Sequence, residues 1–314
     1  MNRFKRILAV YDDGPGGDDV LVQAVALARA NGTSLAVVNT QGHPKSPEVV
    51  DEARRRLRRI LPWIAQEGVT DVTTEVLVGT PHVEIIGKVM RDDHDLVVVC
   101  AERSSTLKDM LVGSTATNLM LKCPSAVWLL KPGQSLPCSN VVAALQLPLE
   151  DRSQDDLNGK ILDLASSIAW ADGACLHVVH FWDVEGAEGE SIRSELPLQR
   201  RRQILDRHEG MRRRALNTLL ARHATAQVAH EIHLPRGRPE LHMAGMATRL
   251  SADLIVMGAE CRLGLSRLLM GNFVESVLSS VRFSVLAVKP DEFQTPVAVS
   301  ANAYSQPGAR PGMH

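Results

Sequence analysis

Asp95-Leu96-Val97-Val98-Val99 is written again as Asp253-Leu254-Ile255-Val256-Met257, 158 residues further along the chain. Each copy is an acid followed by four apolar residues, the pattern of a short strand buried on both faces of a sheet. Other marks keep the same spacing: Gly113 falls on Gly271, Lys131-Pro132 on Lys289-Pro290, and Gly79-Thr80-Pro81 on Gly237-Arg238-Pro239. Apolar strands shared by chance would not hold one register over some fifty residues, so the chain is an internal repeat. Further upstream the spacing shrinks. Residues 7–10 correspond to 141–144 and Val37-Val38 to Val178-Val179, so the second copy carries added length, most of it between Trp182 and His230.

Within the first copy strands are predicted at 6–12, 34–40, 72–79, 95–101 and 125–130. Amphipathic helices separate them. Leu21, Ala24, Val25 and Ala28 make one stripe, closed by Asn31-Gly32, and Leu57, Ile60, Leu61 and Ile64 make another. Leu157, Ile161, Leu164, Ala165 and Ile168 do the same in the second copy, ending at Asp172-Gly173. Strand and helix in alternation imply right-handed crossovers and a doubly wound α/β sheet in each half. Domain 1 is expected at 1–133, domain 2 at 138–296, and a disordered tail at 297–314, with a polar hinge around Pro132, Gly133 and Pro137.

Composition narrows the function classes. The 314 residues suffice for two cores, and an aromatic content of 4% makes those cores aliphatic. A net charge of -1 gives no global attraction to nucleic acid or a membrane surface. The five cysteines include no C-x-x-C pair and are odd in number, which points to a reducing, cytoplasmic setting. The basic residues of the first six positions are followed by only four apolar ones, too few for a secretory signal, and no stretch suits a membrane span.

The run Gly258-x-x-Cys261-x9-Gly271-Asn272, placed after the repeated strand, resembles the signature of the universal stress protein family, glycine-x2-glycine-x9-glycine followed by serine or threonine. Lys122-Cys123-Pro124-Ser125-Ala126-Val127-Trp128 and the segment from Val288-Lys289-Pro290 to Val297 look like parts of that family's tandem-domain type. The resemblance covers nearly the whole chain, once per half. It implies two Rossmann-like domains, each a five-stranded parallel sheet of order 3-2-1-4-5 with helices on both faces. It also implies a division between members that bind ATP and members that do not.

That division rests on the residues at the crevice. Glycines after a strand let the backbone approach phosphates, amides at a helix N-terminus favour an anion, and an acid at the end of the first strand stands at the switch point of the sheet. In the first half the acid is Asp12, but Cys100 and Arg103 replace the leading glycines and only Gly113-Ser114 remains. In the second half Gln146 replaces the acid, Gly258 and Cys261 stand for the glycine pair, and Gly271-Asn272 closes the pattern. Phe181 stands where the resemblance places the wall of an adenine pocket, beside His180. Neither set is complete. The glycines are also read as serving tight turns, and Asp12 as a partner of a helix N-terminus.

Other clusters carry less. His177 and His180 differ by three positions on a strand and face opposite ways, as do His230 and His233, so no metal site is expected. Cys100 and Cys261 are read as small space-filling residues. The arginine runs at 54–56, 58–59, 200–202 and 212–214 are read as solvated helix faces, with Ile204, Met211, Ala215 and Leu219 forming the inner side of the longer helix. A helix is expected over 196–224, with a mobile lead-in marked by Gly186 and Gly189. Without aromatics between them the arginines do not suggest a nucleic-acid partner.

The expectation is a non-catalytic, cytoplasmic stress-response protein that binds a small ligand or a protein partner and requires no cofactor. The alternatives are an ATP-binding switch or slow ATPase using domain 2, and a carrier of an apolar acyl ligand. The apolar fifth strands at 126–130 and 284–288 would be bare edges unless paired, so the halves are expected to pack as a pseudo-dimer, which leaves room for a further homodimer.

Overall fold

The computed structural model describes residues 4–12, 16–43, 46–101, 113–134, 137–147, 152–184, 189, 196–223, 228–259 and 283–298. The first half runs β1 (Arg6–Val10), α1 (Gly17–Asn31), β2 (Ser34–Gln41), α2 (Pro47–Gln66), β3 (Val72–Val78), α3 (Pro81–Asp92), β4 (Leu96–Cys100), α4 (Ser114–Lys122) and β5 (Ala126–Leu130). The second runs β6 (Asn140–Ala144), α5 (Arg152–Asp172), β7 (Cys175–Val179), α6 (Leu198–Arg222), β8 (His230–His233), α7 (Pro239–Arg249), β9 (Leu254–Gly258) and β10 (Ser284–Val288).

All the strands join one sheet of order β3-β2-β1-β4-β5-β10-β9-β6-β7-β8. Each half reads 3-2-1-4-5 from its own edge, and every pairing within a half is parallel. The halves meet at β5 and β10, which pair antiparallel with Val285 opposite Leu129, Leu286 opposite Trp128 and Ala287 opposite Val127. The apolar fifth strands therefore cover each other, and the pseudo-dimer is built into the chain.

Local chemistry explains the element boundaries. Gly32 and Gly173 close α1 and α5 in the left-handed region, φ 61° and 67°, as the Asn-Gly and Asp-Gly stops suggested. The repeated Gly-x-Pro is one device used twice. Gly79 and Gly237 turn at φ 144° and 121°, then Pro81 and Pro239 open the next helix. A methyl group on Gly79 would lie 2.5 Å from Glu84 Oε1, and one on Gly237 2.7 Å from His242 Cδ2, so a side chain there would strain the backbone and displace its neighbour.

The core lies in two layers, one on each face of the sheet. Leu21, Ala24, Val25 and Ala28 are buried on one face with Leu57 and Ile64, and Leu157, Ile161, Ala165 and Ile168 continue that layer in the second half. The opposite layer holds Ile85, Ile86, Leu119 and Met120 with Met243, Met246 and Ala247. Val297, near the end of the described chain, packs against this second layer.

Two expectations about α6 are refined. Its bounds fall within the 196–224 expected, but Met211 and Ala215 face solvent, and the buried residues are Leu216, Leu219 and Leu220. The helix is turned because Arg212 faces inward, its guanidinium 4.8 Å from the Trp182 ring and hydrogen-bonded to the Asp183 carbonyl. The arginines of α2 do lie exposed, with Arg54 paired to Asp51 and Arg55 and Arg56 to Glu52. Gly186, marked as part of a mobile lead-in, lies outside the described residues.

Candidate functional site

In each half the strand order reverses between the first and fourth strands, which opens a crevice at their carboxyl ends. In the first half β1 runs through Tyr11 into Asp12, an exposed acid whose Oδ1 accepts a hydrogen bond from Asn39 Nδ2 at 3.2 Å. The same amide donates to the Tyr11 carbonyl at 2.9 Å, and Gln41 Nε2 holds Asn39 Oδ1 at 2.6 Å. Asp12 is thus positioned by the end of β2.

The chain returns over the crevice at Gly16-Gly17, with Gly16 at φ 110°. A methyl group on Gly16 would lie 2.2 Å from Cys100 Sγ, and one on Gly17 1.8 Å from the Asp12 carbonyl oxygen. The turn after β1 is therefore pressed onto the thiol that ends β4. Burial pushes the Cys100 thiol up to about 12, with the charges of Asp19 and Asp12 adding to the rise. A thiol held so far from ionisation is a poor nucleophile at neutral pH. Asp18 and Asp19 occupy the first turn of α1, so the positive end of that helix already faces carboxylates. Gly113 precedes α4 with φ -61°, ordinary extended backbone, and Ser114 opens the helix exposed to solvent. Arg103 lies outside the described residues.

The second crevice is built differently. Gln146 is exposed at the end of β6, and its main chain is clamped by Asn158, which is fully buried on α5. Asn158 Oδ1 accepts from the Gln146 amide at 3.2 Å, and Asn158 Nδ2 donates to the Gln146 carbonyl at 2.7 Å. His180 is buried beneath the same turn with Nδ1 3.2 Å from the Leu145 carbonyl, and burial lowers its pKa to about 4. Phe181 points to the opposite face, packed in the core layer with Met243 and stacked on His242 at 6.4 Å. A methyl group on Gly258 would lie 2.9 Å from Leu157 Cδ2, so this glycine admits the apolar side of α5. Cys261, Gly271 and Asn272 lie outside the described residues.

One cluster was not visible along the sequence. His177 of β7 sits opposite Glu231 of β8 in the parallel register, and His233 lies two residues further on the same face. The three side chains converge, with His177 Nδ1 3.1 Å from His233 Nε2, and Glu231 Oε2 3.6 Å from each of those nitrogens. Testing histidine spacing along one strand at a time misses a group formed across two. The signal was the repeat itself, which aligns β7 and β8 with β2 and β3. No helix among the described residues is long and apolar enough to cross a membrane.

Comparison with known proteins follows the same division of the chain. The model of the universal stress protein family matches residues 3–131 and 151–289. Universal stress protein E of Salmonella typhi is 28% identical over 253 residues, covering 79% of this chain and 78% of that protein. The crystal structure of a functionally unknown protein from Pseudomonas aeruginosa PAO1 superimposes with a TM-score of 0.71 at 22% identity, covering 93% of this chain and 95% of that one. A universal stress protein from Archaeoglobus fulgidus gives a TM-score of 0.60 at 17% identity, with 90% and 98% covered. The two structural likenesses speak to the fold.

Proposed function

The chain belongs to the universal stress protein family, and we propose that it serves there as a stress-response binding protein, without catalysis, whose crevices have turned away from nucleotide. The observation that carries this reading is the seat of Cys100. Cys100 stands where the family pattern has a glycine, and the Gly16 turn closes directly upon its sulfur, which leaves the backbone less open to a phosphate. Carboxylates at the head of α1 add repulsion to any phosphate brought there.

The second half supports the same reading by other means. Gln146 brings no charge, its main-chain polar groups are occupied by Asn158, and Phe181 is committed to the core. Neither crevice offers, among its described residues, a nucleophile with a base beside it. A homodimer, also proposed, would need a face other than the fifth strands, since β5 and β10 already pair within one chain.

Isothermal titration of the full chain with ATP and magnesium tests the reading. No saturable binding is expected up to millimolar nucleotide, and submicromolar affinity would overturn it. Gln146→Asp combined with Cys261→Gly separates two histories. New affinity in that variant means the nucleotide site decayed in place; none means the crevice was rebuilt for another ligand.

A further inference from the structure

We propose that His177, Glu231 and His233 form a binding site for a divalent transition metal of the zinc class at the β7–β8 edge of the second half. Two imidazoles and one carboxylate with a fourth position open to water are a known zinc donor set. The spacing suits four-coordination. Bonds of about 2.0–2.1 Å in a tetrahedron separate the ligand atoms by about 3.3–3.4 Å, whereas an octahedral face at those lengths separates them by about 2.9 Å. The three separations here are 3.1, 3.6 and 3.6 Å.

The surroundings orient the first ligand. Asn140 Nδ2 donates to the Ser251 carbonyl at 3.3 Å, which turns Asn140 Oδ1 toward His177 Nε2 at 3.1 Å. As an acceptor, that oxygen keeps the His177 proton on Nε2 and leaves the lone pair of Nδ1 facing His233 and Glu231. A ligating histidine held through its other nitrogen by a carbonyl is the usual outer arrangement of a metal site. His177 is buried, while the Glu231 side chain is 62% exposed, so a hydrated cation enters from the solvent side.

The repeat supplies a control. At the matching positions of the first half stand Ala36, Thr73 and Glu75 in place of His177, Glu231 and His233. There Glu75 meets the ammonium of Lys88 at 2.7 Å, and Lys88 also binds Asp92 at 2.6 Å. The residue matching Lys88 in the second half is Met246. Arg91 also reaches Glu75, at 3.7 Å, in the first half, whereas Arg249 at its matching position turns to the Met246 sulfur at 3.0 Å, so one half sets a lysine and an arginine on the strand carboxylate and the other sets two histidines and a glutamate together.

Titration of the chelator-treated full chain with cobalt(II), followed by visible absorption and by zinc competition, tests the site. The expected result is one equivalent of four-coordinate cobalt, displaced by zinc. Binding should be lost in His233→Ala and weakened in Glu231→Gln, two partly exposed edge positions where substitution leaves the core intact. Asn140→Ala should weaken it about 10- to 100-fold with all three ligands in place. Absence of a stoichiometric complex, or binding unchanged by both edge substitutions, would overturn the proposal. Thiolate-to-cobalt charge transfer would equally overturn this ligand set and point to Cys175, which lies two residues before His177.

Discussion

Replacing Lys289 by methionine removes one ammonium and keeps most of the stem. Lys289 is only 4% exposed, yet it belongs to the second half and reaches into the first. Its Nζ donates to the carbonyls of Met120 at 2.7 Å and Leu121 at 3.3 Å, and also to Ala259. Met120 and Leu121 lie in the last turn of α4, where carbonyls have no partner within the helix and a cation is favoured by the helix dipole. The Phe293 ring covers the ammonium at 4.6 Å. Each buried carbonyl that loses its donor costs about 1–3 kcal/mol, and relief from burying the charge returns part of that. Because the acceptors are main chain, no compensating substitution exists on their side. A net loss of about 2–4 kcal/mol follows. In urea unfolding followed by circular dichroism, the midpoint of Lys289→Met should fall with the slope unchanged. The melting temperature should drop by about 3–6 °C. A change below about 0.5 kcal/mol, the range of surface substitutions, would refute the clamp.

Stability should fall as pH drops from about 6.5 to about 4. His180 has a folded pKa near the lower figure, so the unfolded chain binds the extra proton across that window, a difference of up to about 3 kcal/mol. Urea titrations across that range should show a shallower decline in His180→Asn; an identical slope would remove His180 from the account. Gly237→Ala should cost about 1–3 kcal/mol, because φ is 121° and the His242 ring stands where the methyl would go. His242→Ala in the same chain should restore part of that loss by relieving the crowding while the backbone strain persists, which thermal melts of the single and double variants can read.

Much of the fold was open to reading because the chain states it twice. The offset of 158 residues placed β3, β4 and β5 on β8, β9 and β10, and the largely apolar fifth strands announced that they would be paired. Periodicity served α1 and α5 well, since their buried stripes carry no charge. It served α6 less well. An arginine was assigned to solvent by type, although Arg212 lies on a tryptophan and turns the helix about its axis.

At the crevices the sequence placed Asp12 and Cys100 at strand ends but not against each other's loops. The contact between Cys100 Sγ and the Gly16 turn depends on how two distant segments close, and no local spacing encodes that. Phe181 was adjacent to the crevice in sequence, yet strand alternation directs its ring into the core beneath α7. The His177, Glu231 and His233 group needed a parallel register between two strands separated by a long insertion.

On the function proposed above, this protein works by binding something other than a nucleotide. Native mass spectrometry of the full chain purified from its own cells, followed by denaturing extraction, tests it most directly. The expected result is a chain that carries no ATP or ADP. Either nucleotide recovered at close to one per chain would contradict the account and make the second-half glycine run a working site.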